Sequence, residues 1–382
     1  MKVQPVVALD IGSTKVACAI GLPAESCNGR SGGFELLGAS LVAYPTPMEA
    51  WVADPLVVGR TIEQALEAAA GDIDAHQAVV AIDPPSVHSA RVSVSVPLAD
   101  EPVSVKARDL ERLQAAALHQ ALGIDREPLF VERLGCSGNG FHGVRDPRGL
   151  PATRLQGTFL LVSIPMAARR AVVQAVESAG LEAAHLVYTL PCAMAGTADE
   201  VWHRQRVLLI DVGGSATHIG LFVEGLLEAV EVVAWGGWTL ATTIARTLQV
   251  TMDQAVAWSL EGTACRKPEV RAMVEPQWNS LQPAIDAVLK DQPRPDLALI
   301  NGRGALMDGL LEWIERTTGL PSLLCRASRT TQGEEVSRQV GLSTALGVLA
   351  TMSRTPPASL THSPQLFNRL IDRTKAILTE YF

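Results

Sequence analysis

Two stretches of the chain, one in each half, carry the same pattern of apolar and polar positions. The first is 6–15 (VVALDIGSTK) and the second is 207–217 (VLLIDVGGSAT). In each, an apolar run ends at an aspartate, a Gly/Ser/Thr turn follows, and a second apolar run begins directly afterwards. This order predicts a buried strand, a tight turn and a returning strand. Because the pattern occurs twice, we expect two similar α/β halves that face each other across a cleft.

A third glycine-rich turn follows the apolar run 297–300. It reads Asn301-Gly302-Arg303-Gly304-Ala305, and helical apolar spacing continues over 306–318. We therefore expect the glycines between a strand and a helix N-terminus, where backbone amides can lie close to a ligand. The same kind of pattern predicts helices at 61–70, 107–122 and 166–179, and a strand with buried valines at 91–96.

The pattern also divides the chain into parts. Residues 86–162 contain their own strands and helix, so they are expected to interrupt the first half as an inserted subdomain. A proline-rich linker, 354–364, precedes a last helical stretch, 365–382. Its apolar side chains fall on one helical stripe, typical of a helix that lies in the membrane interface; a terminal helix docked on the body is the alternative. The stripe consists of Leu366, Phe367, Leu370, Ile371, Ile377, Leu378, Tyr381 and Phe382.

Composition narrows the possible functions. Hydrophobic residues make up 47% of the 382 and charged residues 19%, which indicates a globular protein. The net charge of -8 argues against nucleic acid as the main partner. The six cysteines are scattered without metal-ligand spacing, which favours a reducing compartment. The first residues are not typical of a signal peptide, and no apolar stretch reaches the roughly 18 to 20 residues of a membrane span. These features predict a cytoplasmic protein.

The paired aspartate turns suit a nucleotide with its metal. Backbone N–H groups in such turns can donate to phosphate oxygens, and Lys15 could neutralise a phosphate. Asp10 and Asp211 would hold Mg²⁺, mostly through water. In the alternative interpretation each aspartate only caps its turn. The predicted nucleotide residues are Asp10, Gly12, Ser13, Thr14, Lys15, Asp211, Gly213, Gly214, Ser215, Gly302, Arg303 and Gly304.

These motifs resemble those of the FtsA family, bacterial cell-division proteins of the actin superfamily. Residues 9–16 resemble its first phosphate motif, 211–214 its second, and 301–305 its adenosine motif. The stretches 125–129 and 143–150 resemble the subdomain that FtsA carries and actin lacks. The resemblance implies an actin-like (ribonuclease H-like) duplicated α/β fold, with two lobes around a cleft for ATP and Mg²⁺ and the FtsA-type inserted subdomain.

The resemblance also implies a division of the chain and a set of partners. Subdomain 1A would comprise 1–85, 163–205 and 341–353, subdomain 1C 86–162, subdomain 2A 206–235 and 293–340, and subdomain 2B 236–292. The partners would be the C-terminal peptide of FtsZ, further copies of the chain in a filament, other division proteins, and the anionic inner face of the membrane at the division site. Candidate peptide-binding residues in 2B are Arg246, Arg266, Lys267 and Arg271.

Several positions depart from the family pattern. His218 stands where the second phosphate motif has an aspartate, and a histidine there is expected to pack or cap. Arg303 replaces a glycine, and Trp238 stands where an aspartate is usual. Val256 and Ser259 replace the Glu and Lys that contact the ribose. We therefore expect a scaffold and, at best, a slow ATPase. Two alternatives are a PilM-like adaptor of type IV pilus assembly and a kinase of the same superfamily.

Overall fold

The first half of the chain is built on a mixed sheet. A computed structural model describes residues 5–23, 33–45, 51–70, 75–197, 202–261, 264–327 and 336–354. Its first elements are β1 (Val6–Ile11), β2 (Lys15–Pro23), β3 (Phe34–Ala43), α1 (Pro55–Ala70) and β4 (Gln77–Ile82). β1 is antiparallel to β2 and parallel to β4. Since side chains on both of its faces are buried, β1 is an almost continuous apolar run, interrupted by Asp10.

An inserted unit, β5 to β10, interrupts this sheet. It contains β5 (His88–Pro97), β6 (Val103–Ser104), α2 (Ala107–Ala121), β7 (Arg126–Gly138), β8 (Phe141–Val144), β9 (Pro151–Ala152) and β10 (Arg154–Pro165). Its main sheet has the order β5-β10-β7-β8, and α2 packs against β5 and β10. The alternation predicted for 91–96 is confirmed, because Val94 and Val96 are buried while Ser93 and Ser95 are exposed.

After the inserted unit the chain returns to the first sheet. It forms α3 (Met166–Ser178), β11 (Glu182–Tyr188) and α4 (Thr189–Thr197). The completed sheet has the order β11-β4-β1-β2-β3, and β11 is parallel to β4. Tyr188 pairs with Ile82 at the ends of these two strands. The residues that follow them therefore leave the sheet side by side, at its carboxyl edge.

The second half repeats this plan. Its strands are β12 (Arg206–Val212), β13 (Thr217–Val223), β14 (Leu226–Val233), β15 (Leu297–Asn301) and β16 (Ser322–Leu324). Its helices are α5 (Gly237–Leu248), α6 (Met252–Glu261), α7 (Pro268–Trp278), α8 (Gln282–Leu289) and α9 (Leu310–Thr318), and α10 (Val336–Arg354) ends the described part of the chain. β12 is antiparallel to β13 and parallel to β15, as β1 is to β2 and β4. The predicted duplication is thus present in the fold.

Two helices connect the halves. α4 and α10 cross so closely that a Cβ added to Gly196 would overlap the carbonyl of Ser343. A Cβ on Gly347 would likewise overlap the carbonyl of Cys192. α4 also contacts β12 of the second half, and α10 contacts β1 and β2 of the first. Glycine at the crossing therefore sets the distance between the elements that carry the two aspartate turns.

The third turn differs from its prediction. A short 3-10 turn occupies Arg303–Leu306, and α9 begins only at Leu310. Gly302 and Gly309 have φ of 78° and 89°, in the left-handed region that ends a regular helix. The prediction of one helix over 306–318 is therefore wrong at its start. Gly302 precedes a 3-10 turn and Gly304 lies within it, so neither stands at the N-terminus of an α-helix.

Candidate functional site

A cavity lies between the two halves of the chain, where the three glycine-rich turns meet. Every residue predicted from the sequence to bind nucleotide lines it. Further lining residues that the sequence analysis did not predict include Trp51, Asp83, Thr189, Asn301, Gly341 and Thr344. The two aspartate turns touch each other, because a Cβ on Gly214 would overlap Ser13 Oγ. The fold thus brings together three segments that are far apart in the sequence.

Both aspartate turns are closed by the same backbone hydrogen bond. Gly12 N–H donates to the carbonyl of Lys15 at 3.1 Å, and Gly213 N–H donates to that of Ala216 at 3.0 Å. We expected these two N–H groups to face phosphate oxygens, and the structure corrects that expectation. The strands that follow start so soon after the turn that its first amide is used to close the hairpin.

The first turn carries an ion pair. Lys15 Nζ donates to Asp10 Oδ2 and, at 3.3 Å, to the carbonyl of Gly341 in α10. Both charged side chains are largely buried, with 12% and 9% of their surface exposed. A buried carboxylate needs such a partner because water no longer solvates it. Lys15 was expected to neutralise a phosphate, but in this conformation it neutralises Asp10.

The aspartate of the second turn is paired with a neutral amide, whereas that of the first turn is paired with a cation. Asn301 Nδ2 donates to Asp211 Oδ2 at 3.0 Å, and Ser343 Oγ of α10 lies 2.7 Å from Asn301 Oδ1. Burial raises the pKa of Asp211 to about 6, an effect that the hydrogen bond from Asn301 partly offsets and the charge of Asp10 increases. This carboxylate therefore lacks a full counter-charge.

A third carboxylate faces the same cavity. Asp83 is the first residue after β4, and β1 beside it carries Asp10 opposite Ala81. Burial and the nearby charges of Asp211 and Asp10 raise the pKa of Asp83 well above its usual range. A sequence signal was available for it. The run Ala78-Val79-Val80-Ala81-Ile82 ends at Asp83 as the other two apolar runs end at theirs, but no glycine follows it.

The positions that depart from the family pattern are not all in the cavity. Val256, Ser259 and Trp238 line it, as does Arg303 at the start of the 3-10 turn. Ser259 Oγ donates to the carbonyl of Val256 at 2.8 Å. Trp238 N–H donates to the carbonyl of Gly214 at 2.7 Å. The N-terminus of α5 is therefore bonded to the second turn itself.

His218 does not line the cavity. It lies on β13, directly opposite Asp211, and its side chain is buried, 1% exposed. Its Nδ1 is 3.0 Å from the hydroxyl of Tyr188, and the two rings meet edge to face at 5.8 Å. Burial lowers the pKa of His218 to about 4, although the backbone carbonyl of Asp83 opposes this shift. The packing interpretation of this histidine is confirmed.

The carboxylate groups that line the cavity fit a cation that is held through water. Asp10, Asp83 and Asp211 supply carboxylate oxygens, which Mg²⁺ prefers. Within the described part of the chain, no three His, Cys, Asp or Glu side chains are close enough to coordinate a metal together. The hydroxyl of Thr189, which lines the same cavity, has no hydrogen-bond partner among the described residues. Such a buried hydroxyl leaves room for one polar contact with a ligand or water.

Three of the four predicted partner residues lie together, before and at the start of α7. Arg266 pairs with Asp308 at 2.6 Å, and Arg271 with Glu275 at 3.5 Å. The Lys267 ammonium lies 4.8 Å from the ring centre of Trp258. Arg246 is exposed in the last turn of the neighbouring helix α5.

The predicted membrane helix, 365–382, and nearly all of its linker lie outside the described residues. Among the helices that the structure does describe, none has the length and apolar character needed to cross a membrane.

Comparison with known proteins gives a consistent result. Residues 85–163 match the family model described as the SHS2 domain inserted in FTSA. The cell division protein FtsA of Rhizobium meliloti (strain 1021) is 29% identical over 257 residues, which are 65% of this chain but only 57% of that protein. FtsA of Pseudomonas aeruginosa is 23% identical over 374 residues, 90% of this chain and 88% of its own length.

A solved structure of the PilM–PilN type IV pilus biogenesis complex superposes with a TM-score of 0.68. It is 17% identical and covers 92% of this chain and 99% of its own, so it shows the fold alone. The fold is the actin-like, duplicated α/β fold with two lobes around a cleft. In sequence and in its inserted domain, the chain resembles the FtsA family of actin-like cell-division proteins.

Proposed function

We propose that this chain is an FtsA-like adaptor of bacterial cell division. It binds the C-terminal peptide of FtsZ, associates with further copies of itself into actin-like filaments, and lies on the inner face of the cell membrane at the division site. The observation that carries the proposal is the match of residues 85–163 to the domain inserted in FtsA, at the place where β5, β7, β8 and β10 form a sheet of their own. The subdomain boundaries given above belong to the same proposal.

The cavity is proposed to bind ATP with Mg²⁺. The triphosphate would lie at the two aspartate turns, the cation beside Asp10 and Asp211 through water, and the adenosine at Gly302, Arg303 and Gly304. The position of these residues around one cavity supports the assignment. When bound, the metal nucleotide would place negative charge against Lys15, so the existing pair with Asp10 would have to open or share the ammonium. Because His218 is packed against Tyr188, any hydrolysis would be slow.

The peptide surface is proposed at Arg246, Arg266, Lys267 and Arg271. Lys267 lies against the ring of Trp258, and Met273, two residues after Arg271 in α7, is 51% exposed. A surface that combines cations with apolar side chains suits a peptide with acidic and apolar residues. Arg266 and Arg271 already pair with carboxylates, so the peptide would replace Asp308 and Glu275 as their partners.

Calorimetric titration tests both proposed sites. The purified chain is titrated with Mg-ATP and, separately, with a synthetic FtsZ C-terminal peptide. We expect both to bind, and the charge reversals Arg266→Glu with Lys267→Glu to weaken the peptide at least tenfold. Arg60→Glu on the exposed face of α1 is the matched control and should leave the affinity unchanged. If the double variant binds the peptide as tightly as the parent, this surface is not the peptide site.

The membrane proposal concerns residues 365–382 and is tested by sedimentation with anionic liposomes. Deletion of this segment should release the protein, and Leu370→Glu on the apolar stripe should do the same. Ala376→Glu adds the same charge opposite the stripe and should still sediment. Sedimentation of the deleted chain would show that another surface binds the lipid.

A PilM-like role in type IV pilus assembly is the second candidate, because the PilM–PilN complex shares the fold over 92% of this chain. The sequence matches favour FtsA, as does the inserted domain. Tight Mg-ATP binding without any binding of the FtsZ peptide would favour the PilM-like role or a kinase of the superfamily.

A further inference from the structure

Two polar residues leave the first sheet side by side and line the cavity. Ile82 and Tyr188 pair at the ends of parallel strands, and Asp83 and Thr189 are the residues that follow them. Both line the cavity that also contains Asp10 and Asp211. Neither belongs to one of the three glycine-rich turns, so the proposed ATP site does not account for them.

The hydroxyl of Thr189 is an independent sign of a missing partner. The residue is 2% exposed, and its Oγ1 has no hydrogen-bond partner within the described part of the chain. A buried hydroxyl without a partner is costly, and a water molecule or ligand usually satisfies it.

The charges around the cavity show which ligand would satisfy these groups. Lys15 neutralises Asp10, whereas Asp211 is bonded to the neutral amide of Asn301. Asp83 adds a third carboxylate close enough to both to interact with their charges. Such a set repels the phosphates of a nucleotide and attracts a divalent cation. The cation would keep its water shell, because the carboxylates are not grouped tightly enough for direct coordination.

We propose that Asp83 is a third carboxylate of the cation site and that it holds, together with the hydroxyl of Thr189, water molecules of a bound divalent cation. This inference rests on the proposed ATP site. Asp83 thus makes nucleotide binding depend on the cation. When ionised, its carboxylate repels ATP in the absence of Mg²⁺ and stabilises the complex in its presence.

The test is the ratio of ATP affinities with and without Mg²⁺, measured by calorimetry for the full chain and for Asp83→Asn. One unit charge about 12 Å away, at an effective dielectric constant of about 20, changes an affinity by about tenfold, and a closer charge changes it by more. At a pH high enough to ionise Asp83, we expect Asp83→Asn to bind metal-free ATP about tenfold more tightly and to lose most of the gain that Mg²⁺ gives the parent. Asp286→Asn makes the same chemical change on the exposed surface of α8 and should leave both affinities unchanged.

Titration with Mg²⁺ alone, followed by the midpoint of thermal unfolding, gives a readout without nucleotide. The cation should raise the midpoint of the parent and of Asp286→Asn more than that of Asp83→Asn. If Asp83→Asn changes both ATP affinities by the same factor, or neither, the role of Asp83 is wrong while the ATP site stands. If the parent binds no ATP under either condition, the proposed ATP site fails and this inference fails with it.

Discussion

The two aspartate turns share the same backbone hydrogen bond but differ in the charge of the side chain that pairs with the aspartate. Each is closed by a hydrogen bond from its first glycine, at 3.1 Å in the first half and 3.0 Å in the second. The first aspartate faces a lysine, and the second faces an asparagine. The duplication therefore preserves the hairpin but not the charge next to it.

This difference shows that the backbone shape of such a site and its charge are set by different residues. The backbone of a strand–turn–strand unit is fixed by local hydrogen bonds and glycine, so it survives duplication. The charge of the site depends on single side chains from neighbouring segments, such as Lys15 within the first hairpin and Asn301 from β15. Substitutions at the two aspartates should therefore have opposite effects on stability.

The largest expected effect is at the first turn. Asp10→Asn leaves the Lys15 ammonium buried without its counter-charge, and breaking a buried pair in this way costs about 3 to 5 kcal/mol. Urea unfolding at pH 7.5 without nucleotide measures this loss. Lys15→Met should also destabilise the protein, whereas the double variant should lose less than the sum of the two single changes. Strictly additive losses would show that the pair does not contribute as a unit.

At the second turn, we expect substitution of the aspartate to stabilise the protein and not to destabilise it. Burial raises the pKa of Asp211 from 3.8 to about 6, so the ionised carboxylate costs at most about 3 kcal/mol above pH 6. Asp211→Asn removes that charge while its amide oxygen can still accept from Asn301. We expect a more stable protein at pH 7.5 and a smaller gain as the pH falls towards 4, where the parent carboxyl becomes protonated. A loss of stability at pH 7.5 would contradict this account.

The repeat itself was predictable from the sequence because it is local. An apolar run, an aspartate and a glycine turn are contiguous in the chain, and their pattern predicted both hairpins. The helix predicted at 166–179 is confirmed in α3 (Met166–Ser178) for the same reason. Patterns of this kind depend on a face that is buried within one element.

Contacts between distant segments were not predictable in this way. Asp83 has the apolar run but no glycine, and only the register of β4 against β1 brings it beside Asp10. The pairing of Lys15 with Asp10 was missed because the sequence does not show how deeply both are buried. The late start of α9 follows from the left-handed backbone of Gly309, which apolar spacing does not reveal. The membrane stripe at 365–382 stays a prediction, since it lies outside the described residues.

The smallest predicted effect concerns the contact between His218 of the second half and Tyr188 of the first. Burial lowers the pKa of His218 from 6.5 to about 4, so the unfolded chain binds the proton first as the pH falls. The stability that the neutral ring contributes is then lost progressively between pH 6.5 and 4, by about 2 kcal/mol at pH 5. His218→Gln has no such proton to bind, so the difference in unfolding free energy between parent and variant should shrink over this range. Because Asp83 and Asp211 are present in both proteins, their titration largely cancels in the difference. Parallel stability curves from pH 7.5 to pH 4.5 would mean that the ring is protonated in the native state as easily as in the unfolded chain, and that its contact with Tyr188 does not hold it neutral.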